Sequence, residues 1–154
     1  MSNPSYLLLQ PGGGERLRFL DDSVLVIKDA GSPVDGGVAH YEYIAEPAAN
    51  GSPQHIHRGH DETFHVVEGS FEFTLGSTTV AADPGTFLLV RRGQPHGFRN
   101  RGTTKGRILG TFGPRFAQYF RELAQIIERT GKAPSPEDWV ELYGRFDTVF
   151  HEPR

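Results

Sequence analysis

The stretch His55-Ile56-His57-Arg58-Gly59-His60-Asp61-Glu62-Thr63-Phe64-His65-Val66-Val67-Glu68-Gly69 decides the reading of this chain. In an extended strand, residues two apart point to the same face. His55 and His57 can therefore present two imidazoles side by side. Glu62 opens the next strand after a short loop, so its carboxylate can return to the same centre. Downstream, His96 beside Pro95 can add a third imidazole from a strand distant in sequence. Three nitrogens and one carboxylate oxygen suit one divalent ion of Fe, Mn, Co, Ni, Cu or Zn. Four protein ligands leave two positions of an octahedral ion open for water, dioxygen or a chelating substrate.

Outward from that stretch, the sequence reads as short strands and tight turns. Upstream lie Leu17 to Leu20, the continuous apolar run Val24 to Ile27, and Val38 to Ile44 after the turn Asp35-Gly36-Gly37. Downstream, Phe71-Glu72-Phe73-Thr74-Leu75 alternates, Gly76-Ser77 forms a hairpin turn, and Thr78 to Ala81 returns. Phe87 to Val90, His96 to Asn100 and Ile108 to Phe112 complete the series. Short strands at this spacing predict an all-β sandwich or barrel. Phe64, Phe71, Phe73, Phe87 and Phe98 are expected in its core.

After residue 113 the period changes. Phe116, Tyr119, Phe120, Leu123, Ile126 and Ile127 share one helical face, with Pro114 at the start and Gly131 at the exit. A second helix is expected from Ser135-Pro136, with Ser135 as N-cap and Trp139, Leu142, Tyr143 and Phe146 on its apolar face. The expectation is a single domain over residues 1–154, with a barrel at about 12–113 and a helical segment at about 114–146.

Composition narrows the function. The chain has 154 residues, 7 histidines and no cysteine, so a metal must sit on nitrogen and oxygen and disulfides are excluded. A formal net charge of −3 argues against a nucleic-acid partner. The first residues show no charged region followed by a long apolar run, and no stretch approaches a membrane span. No signal peptide and no membrane association are expected, and the setting is expected to be cytoplasmic.

The residues around the histidines resemble the cupin superfamily. His55-x-His57, Glu62 and Gly69 match its first motif, although Ala49 stands at the leading glycine position. Gly85, Gly93, His96 and Asn100 resemble the second motif, with Arg91 in place of proline. The wider pattern, roughly residues 12 to 125, is similar to the small bacterial quercetinase-like (quercetin 2,3-dioxygenase-like) monocupins. The resemblance implies a jelly-roll barrel, metal ligands His55, His57, Glu62 and His96, and a homodimer.

Such a centre fits three functions. The first is a dioxygenase acting on a small enolic, phenolic or diketone substrate, aromatic ones included, with Glu62 doubling as catalytic base. The second is a redox-neutral isomerase, cyclase or hydrolase that uses the ion as a Lewis acid. The third is a non-catalytic cupin that binds a small molecule. Among the remaining histidines, His60 is expected in solvent, His65 is expected to face away from Glu62, and His40 and His151 have no partner motif. Arg91, Arg92, Arg99, Arg101, Lys105 and Arg107 form a basic cluster, expected as a solvated face unless one of them meets an anionic substrate.

Overall fold

A computed structural model describes residues 5–151. Eleven strands and two helices follow in the order β1 (Glu15–Arg18), β2 (Val24–Asp29), β3 (Ala39–Ala45), β4 (Ser52–His57), β5 (Glu62–Glu68), β6 (Phe71–Leu75), β7 (Thr78–Ala82), β8 (Phe87–Val90), β9 (His96–Asn100), β10 (Gly106–Phe112), α1 (Pro114–Thr130), α2 (Pro136–Gly144) and β11 (Thr148–Phe150). The strands form two antiparallel sheets, ordered β1-β2-β3-β10-β5-β8 and β11-β4-β9-β6-β7. Their facing sides enclose the core, as alternating strands require.

Phe64, Phe71, Phe73, Ile108 and Phe112 are buried between the sheets, and Phe98 is half-buried among them. The run Val24 to Ile27 is buried throughout, as expected for a strand covered on both faces. Phe87 corrects the expected core list: it is 64% exposed, and Leu89 also faces out. In an uninterrupted apolar run such as Phe87 to Val90, alternation carries no phase. Here β8 is an edge strand that turns Val90 inward and leaves Phe87 on the outer face.

Two glycines let the backbone close up around the interior. Gly51 has φ +61, and a Cβ there would meet the Phe98 carbonyl oxygen at 2.1 Å. Gly110 lies opposite Tyr41 across β10 and β3, and a Cβ there would press on the Tyr41 ring at 2.6 Å.

Both helices start where the sequence places them, and α1 also stops there, but α2 ends at Gly144 and leaves Phe146, expected on its apolar face, in the turn that follows. Pro114 opens α1, and Gly131 closes it in the left-handed conformation, its N–H donating to Ile127 O. Ser135 caps α2: its Oγ accepts from Asp138 N, and the Asp138 carboxylate accepts from Ser135 N. The chain then returns to the barrel. Residues 148–150, unassigned by sequence reasoning, form β11 and pair with β4, with Thr148 opposite His57 and Phe150 opposite His55. Among the described residues, no helix is long and apolar enough to cross a membrane.

Candidate metal centre

The four residues singled out by spacing meet in one place. β4 and β9 are neighbours in the five-stranded sheet, with His55 opposite His96. The alternation of β4 sends His55 and His57 to the interior together and leaves Ile56 between them half-buried. Glu62 reaches the same centre from the first residue of β5 in the opposite sheet. The ligand atoms of His55, His57, Glu62 and His96 all lie within 4.8 Å of one another. Each of the four residues is buried, from 1% exposed at His96 to 6% at His55 and Glu62.

The hydrogen bonds aim the lone pairs. His55 Nδ1 lies 2.9 Å from Pro53 O, and His96 Nδ1 lies 3.0 Å from Gln94 O. A carbonyl can only accept, so both Nδ1 atoms carry the proton. Their Nε2 atoms then face the centre, with a free lone pair when the ring is neutral and, at His96, as a donor to Glu62 when it is protonated. His57 Nδ1 is 2.9 Å from Thr148 Oγ1. Inside the centre, His55 Nε2 and His57 Nε2 stand 3.1 Å apart, and Glu62 Oε2 lies 3.0 Å from His57 Nε2 and 3.1 Å from His96 Nε2. Converging acceptors at such distances are satisfied by a positive charge between them, a proton or a metal ion. The set fits a divalent ion of the N/O-preferring kind, which these four residues could hold.

Ionisation follows the same geometry. Burial alone would raise the Glu62 carboxyl, but hydrogen bonds from His57 and His96, and their charge, hold it well below the usual carboxylate range. Burial pulls His96 down, yet the hydrogen bond and charge of Glu62 outweigh it and leave His96 above the ordinary histidine value. Burial, then the charges of His96 and His57, draws His55 down to about 3. The second oxygen, Glu62 Oε1, accepts from the Tyr41 hydroxyl at 3.4 Å. Burial, followed by the Glu62 charge, pushes Tyr41 well above the usual phenol range, so it remains a neutral donor.

A cavity of about 380 Å³ adjoins the centre, with His55 and Glu62 in its wall. Tyr41, Tyr43 and Phe98 line it from the barrel, Phe116, Tyr119 and Phe120 from α1, and Trp139 and Tyr143 from α2. Its volume suits a small organic molecule. Among the described residues, no lysine or arginine lines it, and Asp21 is its one charged residue besides Glu62.

The basic cluster lies outside this lining and forms a largely solvated, ion-paired face, as expected. Arg91 and Arg92 pair with Asp61, Arg99 with Glu72, Arg101 with Asp83, Lys105 with Glu46, and Arg107 with Glu42 and Glu68. His60 is a correction. It stacks on His57 with ring centroids 4.3 Å apart, and its Nε2 is buried with no partner among the described residues. Burial, then the His57 charge, lowers it to about 4. A loop position in the sequence gave no sign that Phe116 would cover it, at 5.2 Å. His65 is exposed, as expected for a residue out of phase with Glu62.

No similar sequence is found among curated proteins. Solved structures with the same architecture include a sugar phosphate isomerase from a cupin superfamily of Silicibacter pomeroyi, at 20% identity and TM-score 0.58, covering 70% of this chain and 75% of that one. The polyketide cyclase RemF of Streptomyces resistomycificus aligns at 20% identity and TM-score 0.57, covering 70% of this chain and 78% of that one. An RmlC-like cupin of Shewanella frigidimarina aligns at 19% identity and TM-score 0.57, covering 74% and 95%. At these identities the likeness is one of fold. Residues 41–112, which hold all four centre residues, match the model of the cupin domain family, and the chain as a whole has the cupin fold.

Proposed function

We propose that the chain is a metal-dependent enzyme that joins dioxygen to a small, largely apolar substrate bearing an enol, phenol or 1,3-diketone. One observation carries this reading: an aromatic cavity without a cation among its described lining residues adjoins the converging His55, His57, Glu62 and His96. Phosphorylated or carboxylated substrates would find no lysine or arginine among its described lining residues, whereas a flat, neutral ring system would stack on Tyr43, Phe98, Phe116 and Tyr143. When bound, a redox-capable ion would supply Lewis acidity and electron exchange with dioxygen.

The chain's own residues divide the remaining work. His55, His57, His96 and Glu62 Oε2 hold the ion. Glu62 Oε1 is the base that takes the hydroxyl proton of an enol or phenol as the substrate settles. Tyr41, on that oxygen, keeps it oriented. The aromatic walls exclude water. The test is an anaerobic assay of the iron-, manganese-, nickel- and cobalt-loaded protein against a panel of flavonols and 1,3-diketones. Turnover is expected only when oxygen is admitted, and turnover without oxygen would overturn this reading.

The Tyr41–Glu62 contact favours one second reading, a redox-neutral isomerase or cyclase. The two groups could move a proton between substrate atoms while the ion polarises a carbonyl. A sugar phosphate isomerase and a polyketide cyclase share the fold, and the apolar cavity suits a polyketide better than a sugar phosphate. Full activity of the zinc-loaded protein would favour this second reading, and loss of all turnover with zinc would remove it.

A further inference from the structure

The outward nitrogens of the three centre histidines are held in two different ways. His55 and His96 each use a backbone carbonyl two residues earlier, from Pro53 and Gln94. His57 instead uses a side chain 91 residues later, Thr148 Oγ1 at 2.9 Å. Thr148 is 1% exposed and lies directly opposite His57 in the β4–β11 ladder.

Its hydroxyl has one proton, and that proton is committed. Thr148 Oγ1 lies 3.0 Å from Phe146 O, which can only accept. The hydroxyl therefore donates to Phe146 and presents a lone pair to His57. The remaining hydrogen bond is satisfied only if His57 Nδ1 carries the proton. That choice leaves the Nε2 lone pair facing Glu62 and His55.

Residues around Thr148 hold this arrangement in place. Asp147 has φ +52, a left-handed backbone that non-glycine residues seldom adopt, and its carbonyl accepts from Arg58 N at 2.8 Å. The chain is thereby tied to the residue following His57. Without the Thr148 acceptor, the His57 proton has a competing place on Nε2, 3.0 Å from Glu62 Oε2. In that tautomer the lone pair points out of the centre.

We infer that Thr148 is a positioning residue, which holds His57 in the tautomer whose Nε2 lone pair is free to bind the ion. The inference rests on the metal-binding reading for its effect on affinity, but the tautomer can be read without metal. It also makes β11 part of the centre, although no ligand lies on that strand.

The test compares Thr148→Ser, Thr148→Ala and Thr148→Val. Serine and alanine lose the same methyl group and differ only in the hydroxyl, so any packing loss is common to both. Cobalt and zinc affinity is measured by competition with a chromophoric chelator. The alanine and valine variants are expected to bind about 10- to 100-fold more weakly than the parent, while serine stays within about threefold. Nitrogen-15 NMR of the metal-free proteins at pH 9 is expected to find the His57 proton on Nδ1 in the parent and serine variant, and on Nε2 in the alanine and valine variants. Equal affinity in the serine and alanine variants would overturn the inference, and so would a parent His57 protonated on Nε2. If the parent binds neither cobalt nor zinc, the metal reading fails by itself, and the NMR comparison still decides the role of Thr148.

Discussion

His96 governs how the centre answers to pH. Glu62 holds it above the ordinary histidine range, so in the metal-free protein a proton competes, below that raised value, for the Nε2 that an ion needs. His55, drawn down to about 3, and Glu62, held well below the carboxylate range, do not compete in this way near neutrality. Affinity should be full above the raised His96 value and fall as the pH drops through it, by about tenfold per unit for one displaced proton. Zinc titration at pH 8 and pH 5.5 should show at least tenfold weaker binding at the lower pH, and equal affinities would contradict the assignment. The convergence of His55 and His57 was legible in sequence because a strand's period of two settles which side chains share a face. His60 was not. Whether a loop histidine is solvated depends on what packs over it, and Phe116 comes from a helix more than fifty residues later.

At the scale of elements, strands with a clear hydrophobic phase were readable and those without one were not. Phe71-Glu72-Phe73 fixes its own inward face, whereas Phe87 to Val90 does not, and the structure put Phe87 outside. β11 escaped because three residues near the C-terminus form a strand only where β4 offers them an edge. The helix signals were local and therefore legible: proline at the first position of both helices, glycine after α1, serine before α2. α2 matters to function because Trp139 and Tyr143 wall the cavity, with Tyr143 stacked on His55 at 5.8 Å. Ser135→Ala removes the cap hydrogen bond and should destabilise the protein by about 1 kcal/mol. Urea denaturation would detect it as a lower midpoint at unchanged slope. An unchanged midpoint would show that α2 is held by packing alone.

Taken as a whole, the molecule separates its polar and apolar tasks. Cations of the 91–107 cluster pair mostly with exposed or half-exposed acids, pairs worth little individually to stability, while Arg107 also reaches the buried Glu42. The interior between the sheets carries one buried set of acceptors beside an aromatic cavity. Sequence could announce the barrel and the cluster of His55, His57 and Glu62 because these depend on short-range spacing, whereas His96, distant in sequence, stood out through the motif around it. The cavity's aromatic lining could not be read the same way, since it is assembled from the barrel, α1 and α2 together. The direct measurement of the central claim is anomalous diffraction from crystals of the protein loaded with cobalt. The account predicts one peak per chain, about 2.0–2.2 Å from Nε2 of His55, His57 and His96 and from Glu62 Oε2. A peak held by other residues, or none at saturating cobalt, would contradict it.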